Sequence, residues 1–152
     1  MDAACFPSLT GEAVDGTPFV APADFARVRT VAMTAFALES RAQVESWGPY
    51  IDALVRARPD VRARLFAVLG AGAKLMRSVI LGGLRTALPA PELRASTIVA
   101  FTDVDAFCRA LGVTDRKNLC VFLVDGDGRI LWRGTGPYTD SAGAALTEAL
   151  GT

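Results

Sequence analysis

The sequence predicts a single α/β domain in which a mixed sheet of about five strands carries helices on both faces, in three layers. From residue 28 onward, apolar strand-like runs alternate with segments of helical periodicity, an order typical of parallel β-α-β units. Near the C-terminus two strand-like runs flank Asp125-Gly126-Asp127-Gly128, a signal for a tight antiparallel hairpin. The length of 152 residues, 51% of them hydrophobic, suits one domain with one core, spanning residues 1–152.

The first elements follow from turn signals and periodicity. Residues 1–27 are turn-rich around short extended pieces, so we expect an extended lead-in and no separate domain. Residues 28–36 form an apolar, β-branched run that predicts a central strand buried on both faces. Residues 39–58 have helical spacing, with Pro49 as a kink or late start.

The remaining elements are predicted from the same signals. They are a strand at residues 61–69, a helix at 73–88, a strand at 95–101, a short helix through 111, hairpin strands at 119–124 and 129–133, and a terminal helix at 139–150. Thr102 or Asp103 is the expected N-cap of the short helix, and Gly112 its stop. The resulting order from the central strand is β-α-β-α-β-α-β-β-α.

Composition excludes several classes of function. Sixteen basic residues balance sixteen acidic ones, so no overall charge attracts nucleic acid. The chain has no histidine, which excludes Ser-His-Asp and Cys-His catalysis and most transition-metal sites. Its apolar runs are interrupted by charge well before the roughly 20 residues that span a bilayer. We therefore expect no metal, no cofactor, no nucleic-acid partner and no transmembrane segment.

The three cysteines are Cys5, Cys108 and Cys120. Their odd number and wide spacing do not match a disulfide framework or a zinc knuckle, which indicates a reducing compartment. Because the N-terminus lacks a signal-peptide pattern, we expect a cytoplasmic protein unless an export segment has been removed. Cys108 and Cys120 fall at core positions and are expected to be inert, whereas Cys5 is the candidate reactive thiol.

Residues 120–136 read Cys-Val-Phe-Leu-Val-Asp-Gly-Asp-Gly-Arg-Ile-Leu-Trp-Arg-Gly-Thr-Gly. This segment resembles one found in peroxiredoxin-like proteins and in thioredoxin-like assembly factors of mitochondrial ATP synthase. The layout from residue 29 to 150 is similar to the thioredoxin-like superfamily throughout. The assembly factors are the closer match, with further similarity at residues 43–47; they are chaperones that do not rely on Cys-x-x-Cys.

The chain departs from redox members of this superfamily at two places. Where such proteins carry Cys-x-x-Cys, residues 38–44 read Leu-Glu-Ser-Arg-Ala-Gln-Val, without a thiol. Where redox thioredoxins place a cis-proline, residues 115–119 read Asp-Arg-Lys-Asn-Leu. The resemblance therefore implies the fold without its usual dithiol chemistry.

Polar side chains in these two segments form the predicted site. They are Glu39, Ser40, Arg41 and Gln43 at a helix N-terminus, and Arg116, Lys117 and Asn118 in the facing loop. The resemblance implies a non-catalytic binding or assembly module that holds a protein or peptide segment in this groove. Alternatives are a solvated helix cap, a small-molecule site, and a divergent thiol oxidoreductase or peroxidase that uses an atypical cysteine.

Three other motifs have structural interpretations. Gly70 to Lys74 lacks the spacing of a phosphate-binding loop and predicts a tight turn. Asp125 and Asp127 resemble the start of a calcium loop, but Arg129 interrupts the pattern, which favours a hairpin turn. The two tryptophans are expected to be core anchors.

Overall fold

The computed structural model describes residues 5–25, 28–37, 40–88 and 90–151. Its strands are β1 (Leu9–Ala13), β2 (Pro18–Ala21), β3 (Arg29–Ala35), β4 (Val61–Gly70), β5 (Thr97–Thr102), β6 (Cys120–Val124) and β7 (Ile130–Thr135). Its α-helices are α1 (Arg41–Ala57), α2 (Arg77–Ala87), α3 (Pro91–Ser96), α4 (Val104–Leu111) and α5 (Asp140–Leu150). Short 3-10 helices lie at Ala23–Phe25 and Ala71–Met76.

All seven strands belong to one mixed sheet, in the order β2-β1-β5-β4-β3-β6-β7. Strands β3, β4 and β5 are mutually parallel, whereas β6 and β7 form the predicted antiparallel hairpin. Strand β3 lies between β4 and β6, and its residues 30–34 are all buried. The predicted fold class and the central position of this strand are confirmed.

The sheet has two strands more than the sequence predicts, because the N-terminal lead-in joins it. Strand β1 pairs antiparallel with β5 at Glu12↔Val99 and Ala13↔Ile98, and β2 continues the edge by pairing with β1. These strands of five and four residues give little periodicity of their own. Their pairing depends on a strand more than 80 positions away, which a local pattern does not indicate.

Two predicted boundaries also differ. Residues 95 and 96 end α3 and do not start a strand, because Pro91 opens a helix whose Leu93 carbonyl accepts a hydrogen bond from the Thr97 hydroxyl at 2.7 Å. The predicted helix at 73–88 consists of a 3-10 helix followed by α2, and Pro89 lies outside the described residues. Pro49 is exposed inside α1, so it does not mark a late start.

Two apolar layers cover the sheet. On one face, α1 and α5 pack against β3 and β6, with α2 over β4 and β5. On the other, α4 and the N-terminal segment enclose a phenylalanine-rich cluster. Trp47 is a core anchor, as predicted: it is buried, and its Nε1 donates to the Gly136 carbonyl at 3.1 Å. Within the described residues, the helices are too short or too polar to cross a membrane.

Candidate functional site

The candidate site lies where β3 ends and α1 begins, next to the loop that enters β6. Ser40 occupies the N-cap position of α1 and is completely buried. Its hydroxyl does not cap its own helix but donates to the Lys117 carbonyl at 3.2 Å. The start of α1 is therefore fastened to the facing loop, which places the two predicted halves of the site side by side.

Gln43 makes the second connection between helix and loop. Its Nε2 donates to Asn118 Oδ1 at 2.7 Å, and its Oε1 accepts the Leu119 backbone N–H at 2.8 Å. Both polar groups of the amide are thus used to fix the chain immediately before β6. Ser40 and Gln43 thus form a polar clasp between the start of α1 and the loop before β6.

Asp115 stabilises the same loop through two further hydrogen bonds. Its carboxylate accepts hydrogen bonds from Asn118 Nδ2 at 2.5 Å and from the Lys117 backbone N–H at 3.1 Å. The Asn118 side chain, followed by the Lys117 N–H, lowers the pKa of this carboxyl below its usual value. Asp115 therefore stays ionised and holds the loop conformation at neutral pH.

Three cations surround the clasp. Arg41 is exposed and pairs with Glu45 one turn further along α1, at 3.3 Å. Arg116 pairs with Asp105 of α4 at 2.6 Å, and Lys117 is exposed. These three side chains take no part in the hydrogen bonds of Ser40 and Gln43 that form the clasp. We call Arg41, Arg116 and Lys117 the basic rim.

The predicted site residues therefore divide into two groups. Ser40, Gln43 and Asn118 are joined through the clasp, while the basic rim remains accessible around it. Glu39 lies outside the described residues. The partner-binding role of all of them stays a prediction.

Two of the three thiols are in the core, as expected. Cys108 and Cys120 are buried on the α4 side of the sheet, and Cys120 pairs with Thr34 of β3 and Thr135 of β7. Burial raises the pKa of Cys108, and burial followed by the influence of Cys108 raises the pKa of Cys120 to about 11. Both groups are protonated thiols at neutral pH. Cys5 is exposed and forms a backbone bridge with Arg129.

A cleft of about 170 Å³ opens beside the same loop, and no pattern in the sequence predicts it. Asp115, Cys120, Arg133 and Thr135 are among the residues that line it. The Arg133 guanidinium donates to the Leu111 carbonyl at 2.8 Å, so this cation stabilises the end of α4. An arginine within an otherwise apolar hairpin strand was the available sequence signal for this contact.

The calcium-like motif is a turn, as predicted. Asp125 Oδ1 accepts the backbone N–H groups of Asp127 and Arg129, each at 2.9 Å, so the carboxylate caps its own hairpin. Across the described residues, no cluster of three or more acidic, cysteine or histidine side chains has the arrangement of a metal site.

No protein-family model matches the chain, and no curated protein is significantly similar to it in sequence. Solved structures are similar in fold. A thiol:disulfide interchange protein of the thioredoxin family from Chlorobium tepidum TLS is 16% identical, with a TM-score of 0.61 and 99% of each chain covered. Yeast Sco1 with copper bound is 12% identical, with a TM-score of 0.66, 99% of this chain and 94% of that chain covered.

BsSco, a member of the Sco family of cytochrome c oxidase assembly proteins, is 10% identical, with a TM-score of 0.63. The superposition covers 97% of this chain and 94% of that one. Such identities establish the shared architecture and leave the chemistry of the site to be argued from its own residues. The chain therefore has the thioredoxin-like fold that its sequence predicts.

Proposed function

We propose that this protein is a non-catalytic binding or assembly module that holds an acidic protein segment against the basic rim of its thioredoxin-type groove. The observation that carries the proposal is the clasp formed by Ser40 and Gln43. It fixes the start of α1 to the facing loop by hydrogen bonds, at the position where the resemblance implies that redox proteins of this fold carry a reactive thiol.

The basic rim supplies the contacts to a partner. Arg41 and Lys117 are exposed beside the clasp, and Arg116 continues the cationic surface toward α4. The salt bridges of Arg41 with Glu45 and of Arg116 with Asp105 are solvated and weak, so a partner's carboxylates can replace them at low cost. A hydrogen-bonded surface with a charged border suits an extended acidic segment, since little order has to be created on binding.

Thiol chemistry is the rival function, and the solved neighbours include thiol:disulfide interchange proteins. Burial of Cys108 and Cys120 and their raised pKa values argue against it, because the thiolate is the reacting form. The exposed Cys5 stays the candidate for an atypical reaction. A cytoplasmic location, unless an export segment has been removed, stays a prediction from the sequence of the N-terminus.

Selection of binders from a displayed random-peptide library tests the groove directly. We expect enriched peptides to be acidic and to bind the R41Q/K117Q double variant at least about tenfold more weakly, since two charge contacts are removed. The matched control is R56Q/R62Q, which removes two exposed arginines near the end of α1 and at the start of β4, at the other end of the sheet from the site. Equal binding to both double variants, or no enrichment of acidic peptides, would refute the proposal.

Brief alkylation of the native protein, followed by mass spectrometry with and without peroxide, tests the rival function. We expect Cys108 and Cys120 to be labelled only after unfolding. Rapid, peroxide-sensitive labelling of any cysteine at neutral pH would instead favour a thiol oxidoreductase or peroxidase and identify its nucleophile.

A further inference from the structure

In the part of the chain that the structure describes, the three most exposed large hydrophobic side chains lie on the segment that follows β4. Among the described residues, six large hydrophobic side chains are exposed, and three of these are Leu75, Met76 and Val79, at 92%, 53% and 65%. We call these three the apolar ridge. Leu75 contacts almost nothing of its own fold, so intramolecular packing does not explain its position. An apolar group of this kind marks an interaction surface.

The ridge is bordered by positive charge. Lys74 and Arg77 alternate with its side chains, and the sequence has no carboxylate between Asp60 and Glu92. A cleft of about 190 Å³ beside the ridge is lined by one carboxylate, Glu12, and Arg77 binds it. The ridge therefore presents apolar side chains and a lysine without a competing acidic group along its own segment.

The shape of the ridge favours a lipid surface over a peptide as its binding partner. Its residues sit on a 3-10 helix and the first turn of α2 and protrude from the fold, so they form no groove that could enclose an extended chain. Protruding apolar side chains can enter the boundary between headgroups and acyl chains, while neighbouring lysine and arginine side chains reach the lipid phosphates.

We propose that the apolar ridge binds peripherally to the surface of a bilayer that contains anionic phospholipids. Leu75, Met76 and Val79 insert at the headgroup boundary, and Lys74 contacts the phosphates, while Arg77 stays paired with Glu12. The ridge follows β4 at its carboxyl end, and the candidate site follows the parallel neighbour β3 at its own carboxyl end. The end of the sheet that carries the candidate site would thus face the membrane. Membrane binding by the ridge does not depend on whether the candidate site binds a peptide.

Co-sedimentation with vesicles tests this proposal. The wild-type protein should pellet with vesicles of phosphatidylcholine and phosphatidylglycerol, should pellet less as salt is raised, and should remain in solution with phosphatidylcholine alone. The L75S/M76S/V79S variant should bind the mixed vesicles at least about tenfold more weakly, because the inserted apolar area is lost. K74Q should weaken binding to the mixed vesicles and reduce its dependence on salt.

V20S/L131S is the control, since it removes two other exposed apolar side chains, at 44% and 46%, from the edge strands β2 and β7. It should bind as the wild type does, and circular dichroism verifies that all variants are folded. Absence of wild-type binding to the mixed vesicles, or unchanged binding by the triple serine variant, overturns the proposal. So does a ridge-dependent dimer in sedimentation without vesicle binding, which would identify a second copy of this chain as the occupant.

Discussion

Gln43 connects helix α1 to the loop before β6 through both groups of its amide. Replacing it with alanine leaves the partly buried Leu119 N–H without its acceptor and Asn118 without a donor. We expect Q43A to lower the free energy of unfolding by about 1 to 3 kcal/mol, the usual cost of an orphaned polar group. Urea denaturation measures this change.

Arg41 provides the control for Q43A, because it lies on the same turn of α1 but is exposed and pairs with Glu45 at the surface. R41A should change the free energy of unfolding by less than about 0.5 kcal/mol. If both variants unfold at the same urea concentration, the clasp does not stabilise the groove and Gln43 is an ordinary surface residue.

Cys120 makes stability depend on alkaline pH. Its pKa is raised from 9.0 to about 11 by burial, so the unfolded chain releases the thiol proton before the folded chain does. The stability contributed by the neutral thiol is complete below pH 9 and is lost as the pH rises toward about 11. C120A should therefore show a shallower alkaline loss of unfolding free energy than the wild type, measured in reducing buffer. Parallel curves would contradict the assignment.

Residue types at the site could be predicted from the sequence, but their contacts could not. The resemblance brought the Ser40 and Asn118 segments together, and the structure agrees. Ser40 donates to a loop carbonyl and does not cap its own helix. This arrangement depends on backbone geometry and on the side-chain rotamer, which are set by packing between distant segments. Sequence patterns carry no information at that resolution.

Among the elements, β1 lies against β5 with no room for a side chain at Gly11. A Cβ on Gly11 would lie 2.8 Å from the Val99 carbonyl oxygen and 2.9 Å from Ile98 Cγ2. G11A should therefore push the two strands apart and cost about 1 to 3 kcal/mol of unfolding free energy, as over-packing does. Thermal denaturation followed by circular dichroism measures the change.

Gly83 offers the opposite case. It is exposed within α2, and a Cβ there would meet no atom within 4 Å. G83A should stabilise the protein by about 1 kcal/mol through helix propensity alone. If G11A were neutral or stabilising as well, the close approach of β1 to β5 would not be a feature of the folded protein in solution.

Element types were predictable where periodicity is long and capping signals are local. Helix α4 begins after Asp103, whose carboxylate accepts the Ala106 N–H at 3.1 Å, and it ends at Gly112 with a positive φ of 74°, as predicted. Helix α3 was missed because its six residues between two apolar elements are too few for a helical pattern. Its start depends on Pro91, which occupies the first turn of the helix.

At the scale of the whole molecule, the N-terminal segment completes the core. The ring of Phe6 lies within 5.3 to 6.4 Å of four other phenylalanine rings, measured between centroids. They are Phe25, Phe66, Phe107 and Phe122, which come from the N-terminal segment, β4, α4 and β6. Segments far apart in sequence thus converge on one side chain. Local sequence patterns do not indicate this convergence, and they predict only an extended lead-in for residues 1–27.

The same convergence predicts that Phe6 is among the most sensitive positions of the chain. It is 2% exposed, and truncation to alanine would leave a cavity against all four rings. We expect F6A to lower the free energy of unfolding by about 3 to 5 kcal/mol, whereas F6L keeps most of the volume and should cost less than about 1.5 kcal/mol. Urea denaturation of both variants distinguishes the effect of lost packing against the four rings from the effect of detaching the N-terminal segment from the core. If F6A unfolded like the wild type, the N-terminal segment would be an appendage in solution, and the core would be closed without it.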